Sequence, residues 1–221
     1  MIGLLGGTFD PIHFGHLRFA EELAEALALS ELRLVPAGRP PHRQAPHAAA
    51  AHRAAMVALA VGDHRVLRVD RREVESGALS YTIETLRSVR AEAGSGPLCL
   101  LMGADAFAGL ASWKSWQDFP ALCHIVVATR PGHAIAAQLA SPLRELWQQR
   151  FTTDLSRLSS CPAGLVAYRE ITALDISASR IRTLLGEGRS ARYLLPDAVL
   201  QYIDRHGLYR GGPPAGEGIG D

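Results

Sequence analysis

The chain has little of several features that mark specialised classes of protein. Its 221 residues include three cysteines, and its formal net charge is +1 at pH 7. General nucleic-acid and membrane-surface binders usually carry a strong basic excess, so neither class is indicated. Because Cys99, Cys123 and Cys161 are isolated and odd in number, we expect buried, reduced thiols rather than disulfides or a metal site.

Long hydrophobic runs are also absent. No apolar segment approaches the length that spans a membrane, and the chain opens on a strand-like run rather than on a charged and apolar leader. We therefore expect a cytoplasmic protein with neither a membrane nor a nucleic-acid partner; the sequence leaves open whether it forms a homo-oligomer. Two common nucleotide fingerprints, Gly-x-Gly-x-x-Gly and the Gly-Lys-Ser/Thr of P-loops, do not follow the first strand either.

The chain does have a regular alternation of strand-like and helical segments, and its 48% hydrophobic content suffices for a substantial core. Such alternation implies right-handed crossovers and a parallel sheet covered on both faces. We predict a doubly wound, Rossmann-like α/β fold with a helical C-terminal subdomain. A single domain would cover residues 1–209, helical from 177 to 209, with a disordered tail at 210–221. The predicted strands are Ile2–Leu5, Leu32–Pro36, Val66–Asp70, Leu98–Met102, Ile125–Ala128 and Leu165–Tyr168.

Glycine-containing turns follow four of these strands. They are Gly6-Gly7, Ala37-Gly38-Arg39, Gly103-Ala104-Asp105 and Thr129-Arg130-Pro131-Gly132. In doubly wound sheets, ligands bind beyond the carboxyl ends of the strands, at the point where the strand order reverses. The sequence therefore predicts a binding site at this edge of the sheet.

The most informative segment is the run from Gly6 to His16, GGTFDPIHFGH, between the first strand and the first helix. A helix N-terminus presents unpaired N–H groups and a partial positive charge, and anions bind there. Gly6 and Gly7 lack a Cβ, so a ligand can approach the backbone closely. His13 and His16 are three residues apart and share a helix face. The segment predicts a site for the phosphates of a nucleotide.

This run resembles the Gly-x-Phe-Asp-Pro-x-His-x-Gly-His motif of the nucleotidylyltransferase superfamily. Its longer form, Gly-Gly-Thr-Phe-Asp-Pro-Ile-His-x-Gly-His-Leu, is typical of bacterial nicotinate-nucleotide adenylyltransferases. A second superfamily motif, Ile-Ser-x-Thr-x-x-Arg, is matched from Ile176 to Arg182, with Ser179 in place of the threonine. The resemblance extends from Met1 to about Tyr209.

The resemblance implies attack by the 5′-phosphate of nicotinate mononucleotide on the α-phosphorus of ATP, which gives deamido-NAD and pyrophosphate. Such transfers need in-line positioning and neutralisation of developing charge rather than a protein nucleophile. His13, His16 and Arg182 are the implied catalytic residues, with His16 nearest the α-phosphate and Arg182 on the β- and γ-phosphates. Mg²⁺ would bridge the phosphates of ATP, with no metal held by the protein itself.

Further ATP contacts are implied along both motifs and at other strand ends. In the Pro-Pro-His loop of residues 40–43, arginine replaces the family's lysine at position 43. Asp105 would accept hydrogen bonds from ribose hydroxyls, although an aspartate after a strand is also a common helix N-cap. The ATP-binding set is Gly6, Gly7, Thr8, Phe9, His42, Gly103, Asp105, Ile176 and Ser179.

The acceptor nucleotide is assigned to a different group of residues by the resemblance. Trp113 would stack on the pyridine ring, whereas Trp116 fits the core. Backbone amides and the Thr82 hydroxyl, next to Tyr81, would meet the nicotinate carboxylate. Arg130, at a strand end, is a candidate for the acceptor's phosphate, although Arg-Pro-Gly is also an ordinary turn.

Two other classes of function remain open from the sequence. One is an adenylyltransferase of the same superfamily with another acceptor: nicotinamide mononucleotide, phosphopantetheine or a flavin mononucleotide. The Gly-Gly-Thr opening, the Tyr81-Thr82 pair and Trp113 argue against phosphopantetheine and flavin mononucleotide, whereas nicotinamide mononucleotide stays open. The other is a non-catalytic nucleotide-binding module on the same fold, and the complete set of His13, His16 and Arg182 argues against it.

Overall fold

A computed structural model describes residues 1–41, 45–130 and 139–210, and it confirms the predicted parallel α/β sheet. Six strands pair in the order β3-β2-β1-β4-β5-β6, and every neighbouring pair is parallel. The strands are β1 (Ile2–Gly7), β2 (Glu31–Pro36), β3 (Leu67–Val69), β4 (Leu98–Gly103), β5 (His124–Thr129) and β6 (Val166–Glu170).

Nine α-helices connect and cover these strands within the described residues. They are α1 (Phe14–Ala26), α2 (Ala50–Val61), α3 (Arg72–Ser76), α4 (Thr82–Ala93), α5 (Ala104–Ala108), α6 (Phe119–Leu122), α7 (Leu143–Arg150), α8 (Ala178–Gly186) and α9 (Asp197–Arg205). The short helix α3 was not expected from the sequence. In this described part of the chain, no helix is both long enough and apolar enough to cross a membrane.

The sheet is buried on both faces, as the apolar strands predict. Adjacent residues point to opposite sides, so Leu4 packs in one hydrophobic cluster and Leu5 in the other. The same alternation continues in β4, where Cys99 and Leu101 join the cluster of Leu5 and Leu100 joins the cluster of Leu4. Parallel strands that are covered on both faces carry nearly continuous apolar runs for this reason.

The two C-terminal helices complete one face of the molecule. Ile181 of α8 and Val199 and Ile203 of α9 are fully buried in the same cluster as Met56 of α2. The Ser177 hydroxyl accepts a hydrogen bond from the Arg180 N–H at 3.2 Å, which caps the start of α8. The second sequence motif is therefore held beside the opening turn.

The cysteines are free, as the sequence predicts. Cys99 and Cys123 are buried, and burial raises the pKa of the Cys99 thiol to about 12. Cys161 is partly exposed, whereas the sequence predicted buried thiols. Within the described residues they are packing groups rather than cross-links.

Candidate active site

A cavity of about 390 Å³ opens at the carboxyl ends of β1 and β4, where the strand order reverses. The turns after these two strands supply backbone to one side of it, and the loops before α4 and after α5 supply the other side. Its lining includes eight of the residues that the sequence singled out: Gly6, Gly7, Thr8, His16, Tyr81, Thr82, Gly103 and Trp113.

The two histidines of the opening turn stack on each other at the start of α1. Their ring centroids are 3.7 Å apart, with 25° between the planes. The backbone N–H of His13 donates to Nδ1 of His16 at 3.3 Å. Because Nδ1 accepts this bond, the neutral ring of His16 carries its proton on Nε2 and can donate it. Of the two rings, His16 lines the cavity and His13 lies behind it.

Both imidazoles are uncharged at neutral pH. Burial lowers the pKa of His13 to about 4, and burial together with the neighbouring His13 lowers the pKa of His16 to about 3. Nδ1 of His13 is buried and has no hydrogen-bond partner among the described residues. Positive charge at this turn therefore comes from Arg53, Arg182 and the helix N-terminus rather than from the imidazoles.

Phe9 supports the turn from beneath. Its side chain is 2% exposed and packs edge-on against His16, with the ring centroids 5.0 Å apart. A Cβ at Gly7 would lie 2.8 Å from the Phe9 ring, so only glycine lets the ring close under the strand end. The structure thus places Phe9 where it positions His16, rather than on the cavity wall.

Asp10 joins the two sequence motifs. Its main-chain oxygen accepts a hydrogen bond from Nη1 of Arg182 at 2.7 Å, and its carboxylate lies 3.9 Å from the same nitrogen. Nη2 of Arg182 donates to the Ser179 hydroxyl at 3.3 Å. The Tyr209 hydroxyl donates to the Asp10 carboxylate at 2.7 Å. The C-terminal helices are thereby fastened to the turn that carries the histidines.

Arg53, which sequence reasoning missed, connects the opening turn to the loop after β2. Its side chain is fully buried, and it donates to the main-chain oxygens of Thr8 at 2.7 Å, Ala48 at 3.1 Å and Gly38 at 3.1 Å. Buried charge is tolerated where several hydrogen bonds satisfy it. One arginine on the otherwise apolar face of α2, in register with Met56, was the available signal.

The far end of the cavity is built around the start of α4. Tyr81 precedes this helix without a side-chain cap, so the first N–H groups of the helix remain available to an anion. Nζ of Lys114 lies 4.3 Å from the centroid of the Tyr81 ring and 3.4 Å from the Glu84 carboxylate. The Trp113 ring contacts Phe119 edge-on, which fixes its orientation at the cavity wall.

Other residues that the sequence singled out lie around this cavity rather than on its wall. Asp105 is exposed in the first turn of α5, whose N-cap is Gly103, so it is not the cap. Arg130 is exposed directly after β5. The main-chain oxygen of Ile176 packs against Gly15, where a Cβ would come within 3.4 Å of it. His42 and Arg43 lie outside the described residues.

Across the described ranges, no group of three or more histidines, cysteines, aspartates or glutamates could hold a metal ion. Nδ1 of His52, for example, forms a hydrogen bond with the Tyr202 hydroxyl at 2.9 Å. The donors around the cavity are N–H groups, hydroxyls and cations, which suit phosphates and carboxylates.

Comparisons with known proteins converge on one group. Residues 4–184 match the family model described as cytidylyltransferase-like. A probable nicotinate-nucleotide adenylyltransferase from Methylococcus capsulatus is 46% identical over 210 residues, which cover 95% of this chain and 99% of that protein. One of the same name from Pseudomonas aeruginosa is 50% identical over 210 residues, with 95% and 97% covered.

Solved structures agree on the fold. The nicotinic acid mononucleotide adenylyltransferase of Plasmodium falciparum, complexed with NaAD, superposes with a TM-score of 0.68 at 17% sequence identity. The match covers 94% of this chain and 96% of that one. At so low an identity, the similarity supports the α/β architecture.

Proposed function

The chain belongs to the cytidylyltransferase-like family, and on that premise we propose that it is a nucleotidyltransferase that joins ATP and nicotinate mononucleotide. The products are deamido-NAD and pyrophosphate, so the enzyme serves NAD biosynthesis. Relatives that are about 50% identical over nearly their whole length are named probable nicotinate-nucleotide adenylyltransferases. The observation that carries the proposal is one cavity lined by both His16 and the Tyr81-Thr82 pair.

In this reaction the acceptor's phosphate oxygen forms a new bond to the α-phosphorus of ATP, and the bond to the departing pyrophosphate breaks. We assign to His16 a hydrogen bond from Nε2–H to the transferred phosphate. His13 holds the His16 ring by stacking and by its backbone N–H. A preorganised neutral donor of this kind costs no reorganisation when charge develops.

Arg182 and Ser179 are assigned to the pyrophosphate end of ATP. The guanidinium is already oriented by Asp10 and Ser179, and its planar fork suits phosphate oxygens. Transfers of this class generally need a divalent cation. We assign Mg²⁺ to the phosphates of the nucleotide, because the described residues offer hydrogen-bond donors to phosphate rather than a cluster of metal ligands.

The acceptor is assigned to the end of the cavity at α4. Its carboxylate would meet the uncapped N–H groups and the Thr82 hydroxyl, and its pyridine ring would lie against Trp113. Stacking supplies contact area, whereas the N–H donors distinguish a carboxylate from a carboxamide. These roles, and those of Asp105 and Ile176, rest on the resemblance to the family, and the role of Arg130 rests on its position at the end of β5.

An acceptor panel tests the proposal. Pyrophosphate release is followed with ATP and Mg²⁺ plus nicotinate mononucleotide, nicotinamide mononucleotide, phosphopantetheine or flavin mononucleotide, with ATP alone as the blank. We expect the largest kcat/KM with nicotinate mononucleotide. Equal turnover of the two pyridine nucleotides would contradict the carboxylate preference, and no release with any acceptor would favour a non-catalytic nucleotide-binding module.

A further inference from the structure

Glu73 lies in the wall of the cavity although no part of the proposed reaction uses it. Among the described residues of the lining it is the acidic one, and it projects from the five-residue helix α3. Burial raises the pKa of its carboxyl, against hydrogen bonds from Thr85 and Ser80 that lower it. A partly buried carboxyl beside the end of the cavity assigned to a carboxylate needs a reason to be there.

Two hydroxyl groups converge on this carboxyl. The Thr85 hydroxyl donates to Oε1 of Glu73 at 2.6 Å. The Ser80 oxygen accepts the backbone N–H groups of Gly38 at 2.9 Å and Arg39 at 3.1 Å. The Ser80 hydroxyl also interacts with the Glu73 carboxylate, and this interaction lowers the pKa of the carboxyl.

The partners of Glu73 flank the residues assigned to the acceptor. Ser80 immediately precedes Tyr81 and Thr82, and Thr85 follows in the first turn of α4. Glu73 therefore contacts a residue on each side of the N–H groups at the start of α4 that face the cavity. Displacing either hydroxyl would shift those donors, and charge-assisted hydrogen bonds are sensitive to such shifts.

The same contacts connect the acceptor end with the phosphate end. A Cβ at Gly38 would lie 2.1 Å from the main-chain oxygen of Glu73, so the two backbones touch and only glycine fits. The Gly38 oxygen in turn accepts from Arg53, which also holds the Thr8 oxygen. Glu73 is thus connected with the opening turn by backbone contact with Gly38 and by the hydrogen bonds of Arg53.

We propose that Glu73 is a positioning residue for acceptor specificity: its carboxyl fixes Ser80 and Thr85, and thereby the α4 N-terminus that reads the carboxylate of the acceptor. This rests on the proposed function, since it concerns the acceptor of that reaction. Glu73 touches neither reacting phosphate and takes no part in bond making. Its contribution lies in how the enzyme distinguishes a carboxylated from an amidated pyridine nucleotide.

The test is the substitution Glu73→Gln, with Glu75→Gln as the matched control. Glu75 lies in the same helix, with its side chain 70% exposed and 4.0 Å from Arg71. A glutamine amide is uncharged and replaces one of the two carboxylate oxygens by a donor, so it holds the two hydroxyls less strongly. We expect the KM for nicotinate mononucleotide to rise about tenfold, while the KM for ATP changes less than about twofold. The control should match the wild type in both.

The ratio of kcat/KM for nicotinate over nicotinamide mononucleotide separates positioning from general destabilisation. Misplaced N–H donors weaken recognition of a carboxylate more than that of an amide, so this ratio should fall about tenfold. A merely structural role would lower both values equally and leave the ratio unchanged, which would overturn the proposal.

Thr85→Val removes the other side of the same hydrogen bond and serves if Glu73→Gln does not fold. It should change the ratio in the same direction. A folded Thr85→Val or Glu73→Gln protein with the wild-type ratio would contradict the role of Glu73 and leave the proposed function unaffected. Absence of wild-type turnover on nicotinate mononucleotide contradicts the proposed function instead, and the proposal for Glu73 falls with it.

Discussion

Nη1 of Arg182 donates a hydrogen bond to the main-chain oxygen of Asp10 at 2.7 Å, across 172 residues of sequence. The contact joins the beginning of the sheet to one of the last helices. It orients a guanidinium beside the turn that carries the histidines, and Ser179 steadies its other terminal nitrogen. A cation held in this way before the nucleotide binds can meet phosphate charge without first being reorganised.

Arg182→Lys should impair the use of ATP while leaving the acceptor largely unaffected. A lysine ammonium is a single point charge and cannot bond Asp10 and Ser179 while also presenting a fork to phosphate. We expect kcat/KM for ATP to fall about 10²-fold, with the KM for nicotinate mononucleotide within about threefold of the wild type. Steady-state kinetics with each substrate varied in turn measures both.

Arg189→Lys is the control for that substitution. Arg189 is 68% exposed and pairs with Glu187 at 3.1 Å, so the exchange of arginine for lysine there should leave both substrates unaffected. Equal losses in the Arg182 and Arg189 variants would show that the Arg182 effect is unspecific.

The histidine pair should make the protein less stable in mild acid. In the unfolded chain each ring takes up a proton near pH 6.5, whereas in the folded protein His13 does so only at about 4 and His16 at about 3. Between these values the unfolded state binds more protons, so the free energy of unfolding falls as the pH falls. Each histidine contributes a slope of up to about 1.4 kcal/mol per pH unit.

Urea unfolding at pH 7, 6 and 5 measures this slope. A variant with His13→Gln and His16→Asn carries no ionisable group at either position, so its free energy of unfolding should decline less steeply with acid than that of the wild type. Parallel declines would contradict the assignment of acid sensitivity to this pair.

The sequence predicted much of the fold because its signals are local. The central strands β1, β4 and β5 are apolar runs closed by a turn, and burial on both faces leaves that pattern visible in Leu98-Cys99-Leu100-Leu101-Met102. The weaker predictions concern short elements. Helix α3 has five residues and no buried side chain, so it lacks the apolar periodicity that would predict a helix.

The site was predictable where a motif names its residues and not where tertiary contacts define them. Gly6, Gly7 and His16 were found from the turn that contains them. Arg53 and Glu73 act through partners such as Thr8 and Gly38, which are distant in sequence. Charged residues on short or amphipathic helices usually face solvent, so only the folded chain reveals that Arg53 is buried and Glu73 partly buried.

The same limit applies to the histidines. The sequence placed them on one helix face, whereas His13 is the extended N-cap before α1 and only His16 lies in the helix. Their stacking and their low pKa values follow from burial under the turn. A pattern of residue types does not contain that information, because the desolvation that uncharges a ring depends on everything packed around it.

The most direct test of the account is the turnover number of His16→Asn at saturating ATP and nicotinate mononucleotide. Asparagine keeps an oxygen that can accept the His13 N–H but has no donor in the place of Nε2. His206→Asn, outside the cavity, is the control. We predict a kcat about 10²–10³-fold below the wild type, with the Kd for nicotinate mononucleotide within a few-fold. A folded His16→Asn protein with the wild-type kcat would contradict the claim that this imidazole stabilises the transferred phosphate.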